Sequence, residues 1–351
     1  MAYLFEFKRY RRPLVTPLRT AHGAWTEREG IIVRLVDETG RAGYGEIAPI
    51  PWFGTETLAE AEEICRGFGD KVTDATLDAV PERFGCVRFA LALAGAELVG
   101  RGLRTPPGSG EKKAGFGDPA LQQTRRLPIA ALLPAGREAL PVLRAALEAG
   151  FLAFKWKVGV GDIDDELAVL DDLLAQVPAH ARLRLDANGA WTAKQAGRWL
   201  ARCAERPVEF VEQPVAPAEE AALRGLAADY PVKLALDESV VRLAEARRWQ
   251  AQGWPGIFVI KPALAGPLPE MIKWIEATQA DVVLSSAIET ALGRSAILQV
   301  ALSRPLTRRA LGFGSGGVFG DRRWDGPVIG PLADASCLAT NPGEEIWTAL
   351  S

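Results

Sequence analysis

Three carboxylates stand at equivalent places in successive segments of this chain. Asp186 closes Arg182-Leu183-Arg184-Leu185-Asp186, Glu212 closes Val208-Glu209-Phe210-Val211-Glu212, and Asp237 closes Lys233-Leu234-Ala235-Leu236-Asp237. The spacings are 26 and 25 residues. A carboxylate ending a strand commonly caps the helix that follows. Three in register at neighbouring strand ends would repel one another, and a hard divalent cation resolves that repulsion. All-oxygen ligation suits Mg²⁺ or Mn²⁺.

Amines flank these acids in sequence order. Lys155 and Lys157 lie on Phe154-Lys155-Trp156-Lys157-Val158, where strand alternation puts both on one face. Lys261 ends Ile257-Phe258-Val259-Ile260-Lys261. Buried lysines require counter-charge or a function. They either salt-bridge the same acids or do chemistry. Nearby positive charge or desolvation would bring a lysine toward the working range of a general base. Together these parts suit proton abstraction from a carbon next to a carboxylate, with a metal holding the charge that develops.

Such a set must be mounted on a frame. From Leu127 onward, eight short apolar runs alternate with seven helical stretches. The runs are 127–133, 151–158, 181–186, 208–212, 232–237, 256–261, 281–286 and 309–313. The helical stretches are 138–149, 163–176, 193–204, 217–228, 243–251, 268–278 and 293–302. This rhythm predicts an α/β fold, a (β/α)₈-type barrel with its active site at the C-terminal rim. A doubly wound open sheet would place a glycine-rich phosphate loop after its first strand, and Leu133-Pro134-Ala135-Gly136 is not one.

Ahead of the barrel the first 50 residues predict an antiparallel sheet, with strands over 3–10, 30–36 and 41–47. Between the first two lies Thr16–Glu29, polar and glycine-bearing, either an ordinary connection or a mobile lid. Residues 57–100 read as helices, and the alanine-rich 86–98 suits close packing. The segment 106–119, rich in Gly, Pro and Lys, reads as a loop. The expected division is an α+β capping domain over 1–125, the barrel over 126–313, and a tail over 314–351 that returns to the cap.

Bulk properties narrow the function classes. The 351 residues exceed the roughly 250 that a barrel needs. The balance of 41 basic and 44 acidic side chains, net charge -3, supplies no field for nucleic acid or an anionic membrane. Two histidines and four widely spaced cysteines argue against zinc chemistry and suit free thiols. No apolar window reaches the length of a membrane span, and charges interrupt the N-terminus at once. A cytoplasmic enzyme with a small-molecule carboxylate substrate is expected. Oligomeric state is left open.

The motifs Lys155-Trp156-Lys157, Asp186-Ala187-Asn188-Gly189, Glu212-Gln213-Pro214, Asp237-Glu238-Ser239 and Ile260-Lys261-Pro262 resemble the enolase superfamily, muconate-lactonizing subgroup. The run Leu284-Ser285-Ser286-Ala287-Ile288-Glu289-Thr290 and the position of Arg184 are similar to its o-succinylbenzoate synthase family. The resemblance implies a capping domain whose Thr16–Glu29 segment closes over substrate. It also implies a Mg²⁺-dependent syn dehydration of 2-succinyl-6-hydroxy-2,4-cyclohexadiene-1-carboxylate to 2-succinylbenzoate, a step of menaquinone or phylloquinone synthesis. Asp186, Glu212 and Asp237 would then ligate the metal. Lys157 would serve as base and acid, Lys261 as a fixed cation, and Lys155 would tune Lys157. Arg184, Asn188 and Ser286 would bind substrate or support the site.

An N-acylamino acid racemase or dipeptide epimerase uses the same parts with Lys157 and Lys261 as opposed bases. Dipeptide epimerases tend to carry an acidic clamp after the eighth strand, and Leu311-Gly312-Phe313-Gly314-Ser315-Gly316-Gly317 holds no acid. A lactonizing enzyme and a catalytically silent binding barrel are weaker alternatives, since every expected acid and lysine position is filled.

Overall fold

The branched residues Ile31, Ile32, Val33 and Leu35 are fully buried and make strand β2 the centre of the N-terminal unit. In the computed structural model, which describes residues 1–20, 23–98, 125–204, 206–314 and 316–350, β1 (Ala2–Thr20), β2 (Gly23–Val36), β3 (Ala42–Ile47) and β4 (Lys71–Thr73) form one antiparallel sheet of order β3-β2-β1-β4. The helix Gly85–Leu98 lies against it. A Cβ on Gly45 would stand 1.9 Å from the carbonyl oxygen of Ala90, so glycine in the strand and alanine in the helix together allow this approach.

Two local features differ from the sequence reading. The stretch 57–100 is not wholly helical, because β4 interrupts it and pairs with the start of β1. Three residues are too few to show a strand period. Thr16–Glu29, read as an ordinary connection or a lid, is strand on either side of residues 21–22, which lie outside the described residues: Leu18 pairs with Trp25, Arg19 with Ala24 and Thr20 with Gly23. The ladder breaks between Pro13 and Leu18, where Pro13 and Pro17 supply no amide hydrogen. The loop read at 106–119 lies outside the described residues.

The eight runs form parallel strands: β5 (Leu127–Leu133), β6 (Ala153–Lys157), β7 (Arg182–Asp186), β8 (Val208–Glu212), β9 (Leu234–Leu236), β10 (Ile257–Ile260), β11 (Val282–Leu284) and β12 (Leu311–Gly314). They follow the order β11-β10-β9-β8-β7-β6-β5-β12. A parallel bridge from Ser285 to Gly312 joins the two ends and closes the ring. The fold is a (β/α)₈-type barrel with an α+β capping unit. Between the strands run helices Ala139–Glu148, Ile163–Leu174, Ala193–Cys203, Glu220–Asp229, Leu243–Ala251, Leu268–Thr278 and Ala291–Ser303. No helix among the described residues is long and apolar enough to cross a membrane.

After β12 the chain serves both units. Leu332–Ala333 (β13) pairs antiparallel with β5. Helix Pro342–Ala349 sits beside β3, with the Trp347 and Tyr44 rings 6.2 Å apart and Lys8 Nζ donating to the Trp347 carbonyl at 3.1 Å.

Cap and barrel also meet through a buried acid. Glu46 on β3 is fully buried. It accepts hydrogen bonds from the Tyr10 hydroxyl at 2.7 Å, the Thr290 hydroxyl at 2.8 Å, and the Thr290 and Gly293 amides at 2.9 and 3.1 Å. It therefore caps the N-terminus of the Ala291–Ser303 helix from the other domain. Glu46→Ala strands these donors in a dry site. The expected loss is about 3 kcal/mol of stability, read as a lowered urea midpoint.

Candidate active site

Strand register assembles the polar cluster. Lys157 is level with Asp186, Asp186 is level with Glu212, and Lys155 is level with Arg184. Asp237 follows β9 directly and Lys261 follows β10 directly. In an eight-stranded ring β6 and β10 stand diametrically opposed. The Lys157 and Lys261 side chains thus rise from opposite walls, with the three acids on the strand ends between them.

Asp186, Glu212 and Asp237 are buried, at 0%, 1% and 2% exposure. Lys155 Nζ lies 2.8 Å from Asp186 Oδ2 and 2.7 Å from Glu212 Oε1. Lys157 Nζ lies 2.6 Å from Asp186 Oδ2 and donates to Asn188 Oδ1 at 2.7 Å. Lys261 pairs with Asp237 and stands 4.1 Å from the centroid of the Phe53 ring. The sequence thus expects a cluster, and the fold brings all six side chains together.

Charge decides the protonation tendencies. Burial works against the Lys155 ammonium, yet Asp186, Glu212 and Asp237 outweigh it and hold the amine firmly protonated. The opposite tendency, a lysine eased toward neutrality, does not apply to Lys155. Burial likewise opposes the Asp186 anion, but Lys155 and Lys157 outweigh it and keep this carboxyl below the ordinary range. Glu212 is pushed up to about 8, first by burial and then by the Asp186 charge. Asp237 is raised by burial in spite of Lys261.

Those opposed shifts bear on metal fit. Among the described residues no trio of His, Cys, Asp or Glu is drawn around one point as it stands, because each candidate acid is turned onto an amine. The donor set nonetheless fits a hard divalent cation: three buried carboxylates, all oxygen, on consecutive strand ends. Lys155 bridges Asp186 and Glu212 where a cation would otherwise neutralise them.

Backbone geometry supports the cluster. Asn188 and Gln213 take left-handed backbone angles, φ 46° and 37°, uncommon for residues other than glycine and frequent at functional sites. The buried Gln213 side chain accepts the Asp237 and Ser239 amides at 3.1 and 3.2 Å and donates to Ser239 Oγ at 2.9 Å. It thereby sets the turn that presents Asp237. Asn188 Nδ2 donates to Glu238 Oε1 at 2.9 Å. Glu238 directly follows Asp237, and an acid after an acid carries no period that would mark it in the sequence.

A cavity of about 1080 Å³ opens above the cluster. Lys155, Lys157, Asp186, Asn188, Asp237, Lys261 and Ser286 border it. Its upper wall includes Thr16, Leu18 and Trp25 of the hairpin, with Trp52, Phe53 and Ile288. Glu212 and Arg184 do not border it. Arg184 is buried below the acids, donating to Glu209 at 2.6 Å and to the Ala310 carbonyl at 2.9 Å. Direct contact of Arg184 with substrate is closed by this placement, and its role is support of the barrel interior. Ser286 donates to Glu289 and accepts the Ile288 amide at 2.9 Å.

Comparison with known proteins places this geometry. Residues 139–324 match the model described as enolase C-terminal domain-like, and residues 4–98 match the MenC N-terminal domain. The chain is 40% identical to the o-succinylbenzoate synthase of Thermosynechococcus vestitus (strain NIES-2133 / IAM M-273 / BP-1), over 88% of this chain and 92% of that one. This chain belongs to the enolase superfamily, in its o-succinylbenzoate synthase family. It is 32% identical to the o-succinylbenzoate synthase of Edwardsiella ictaluri (strain 93-146), over 84% of each chain. The solved o-succinylbenzoate synthase of Thermosynechococcus elongatus BP-1, complexed with Mg in the active site, superposes with a TM-score of 0.81 over 99% of both chains at 36% identity. The L-Ala-D/L-Glu epimerase from Bacillus subtilis shares the fold, with a TM-score of 0.78 at 22% identity over 94% of this chain and 95% of that one. The protein is accordingly an enzyme of the hydro-lyase class that depends on a divalent metal and acts on a small molecule.

Proposed function

We propose that this enzyme dehydrates 2-succinyl-6-hydroxy-2,4-cyclohexadiene-1-carboxylate to 2-succinylbenzoate, the step that feeds menaquinone or phylloquinone synthesis. The opposition of Lys157 and Lys261 across three buried carboxylates suits proton abstraction beside a carboxylate by either route. What carries the dehydratase reading over the racemase is the likeness to o-succinylbenzoate synthases, 40% identical over 88% of this chain, against 22% for the epimerase.

Asp186, Glu212 and Asp237 would hold Mg²⁺, with Mn²⁺ a second candidate. When bound, the cation supplies positive charge to the substrate carboxylate and to the negative charge that develops beside it. Lys157 removes the α-proton, and the C–H electron pair spreads over the carboxylate and the ring diene. As the C–OH bond breaks, that pair forms the new ring double bond. The proton on Lys157 leaves with the hydroxyl as water, so the lysine ends as it began. Loss of water completes an aromatic ring, which drives the reaction forward. The contact from Asn188 Oδ1 at 2.7 Å fixes where the Lys157 amine sits. Lys261, held by Asp237 and the Phe53 face, supplies a fixed cation as charge spreads over the ring. Lys155 keeps positive charge beside Lys157.

In this reading residues 1–125 act as the cap, 126–313 as the catalytic barrel and 314–351 as the strap between them. The hairpin over Thr16–Glu29 closes the cavity when substrate binds. Added 2-succinylbenzoate with Mg²⁺ is expected to protect this hairpin from limited proteolysis. Equal cleavage with and without product counts against closure.

The deciding experiment is a spectrophotometric assay of the cyclohexadiene beside a panel of N-acylamino acids. Rapid dehydration supports the reading. Racemisation of the acylated amino acids with no action on the diene overturns it in favour of the racemase alternative.

A further inference from the structure

Arg28 is 2% exposed, and among the described residues its five hydrogen bonds run to main-chain carbonyl oxygens. In the cap it donates to Pro49 at 2.6 Å, to Glu29 at 3.3 Å and to Ala48. Across the domain boundary it donates to Ile288 at 3.1 Å and Ala287 at 3.4 Å. Burying a guanidinium is costly, and an uncharged side chain of similar length would leave these carbonyls without their donor. Arg28 meets that cost at the boundary of cap and barrel, on a turn that borders the cavity.

The turn it grips is strained. Ile288 adopts φ 58°, a conformation in which a β-branched side chain crowds its own backbone. Such geometry persists only where the surroundings over-determine it. Here Arg28 holds the Ile288 carbonyl, Ser286 Oγ takes its amide at 2.9 Å, and Glu289 takes the Ala287 amide at 2.6 Å. Ser286, Ala287 and Ile288 all border the cavity. On its other side the Arg28 guanidinium carbon lies 5.3 Å from the centroid of the Trp25 ring, and Trp25 is the hairpin residue on the cavity roof. Trp25 in turn meets Trp52 edge-on at 5.7 Å.

From this geometry we infer that Arg28 is a positioning residue for the dehydration: it holds the strained Ser286–Ile288 turn and the Trp25 roof in one register, so that the two walls of the cavity close on the substrate ring together. It touches neither the reacting atoms nor the acids of the barrel floor. The inference rests on the dehydratase reading above, because the ring it positions is that substrate.

The test compares Arg28→Met, Arg28→Lys, Ile288→Gly and the double variants, each with Mg²⁺ present. Glycine reaches φ 58° without strain, so it removes the need for a clamp. Arg28→Met is expected to lower kcat/KM about 10²-fold, the scale of a misplaced binding wall. Arg28→Lys is expected to fall between this variant and the parent. The Mg²⁺ affinity by calorimetry is expected to stay within about 3-fold, since the floor is untouched and such mutations act independently at a distance. Adding Ile288→Gly to Arg28→Met is expected to recover about ten-fold relative to the effect of Ile288→Gly alone, a coupling that a merely structural arginine would not show.

If Arg28→Met does not fold, the same cycle is run with Arg28→Lys. Retention of kcat/KM within about 3-fold, a parallel loss of Mg²⁺ affinity, or an additive cycle each overturns the inference. Product affinity, measured by titrating 2-succinylbenzoate into each variant, is expected to follow the same order. A parent enzyme that binds product but ignores the diene defeats the dehydratase reading, while the order of product affinities still decides the role of Arg28.

Discussion

Lys157→Arg is expected to abolish dehydration of the cyclohexadiene, with kcat reduced by about 10⁴-fold or more, because in the proposed path one amine would perform both proton transfers. Guanidinium keeps the charge but stays protonated, so it cannot accept the α-proton. Fold and metal affinity are expected to survive, since a cation remains beside Asp186. Lys261→Arg is a different experiment on the opposite wall. It keeps the positive charge near Asp237 and Phe53 while altering its reach. A loss of about 10²-fold with measurable residual turnover is expected, the scale of one misplaced electrostatic donor. The racemase alternative predicts another pattern. Each lysine would serve one stereochemical face, so each variant would stop turnover yet leave α-proton exchange from a single enantiomer. Deuterium exchange followed by NMR separates the two. Near-parental dehydration by Lys157→Arg would sink the proposed proton path.

Asp186→Asn and Asp237→Asn are each expected to weaken Mg²⁺ by about 10²-fold or more, since even partners of ligands cost 10- to 100-fold. Titration of Mg²⁺ into each variant by calorimetry gives the measurement. Glu212→Gln belongs to the same series, but Glu212 lies beneath the cavity and accepts Lys155 at 2.7 Å. Its loss therefore also leaves a buried ammonium short of a partner, and a drop in stability is expected alongside the drop in affinity. Unchanged Mg²⁺ binding in all three would remove the carboxylate trio as the metal site. Chelation of the parent enzyme is expected to stop turnover and readdition of Mg²⁺ to restore it.

The chemical core of this protein is readable along the chain because it is repeated. Each barrel unit takes about 25 residues, so an acid at the end of Arg182–Asp186 recurs at Glu212 and Asp237 in the same phase. The two-residue period that puts Lys155 and Lys157 on one face is equally local. Eight apolar runs and their helices suffice for the barrel, and its closed parallel order then sets which strand ends adjoin. The sequence does not determine contacts that depend on how the cap docks. Arg28 and Glu46 meet the turn and helix at 287–293 some 240 to 260 residues further on, and no period links positions so far apart. Arg184 shows the same limit. It shares a strand face with Asp186, yet its length and a β-bulge opposite it carry the guanidinium down to Glu209 and Ala310, away from the cavity. The segment Thr16–Glu29 reads as a connection or a lid because its polar sequence lacks an apolar alternation, and only pairing between β1 and β2 makes Thr16, Leu18 and Trp25 a wall of the cavity. Local period determined which acids and lysines gather at the barrel rim, while the packing of one domain on another decided what encloses them.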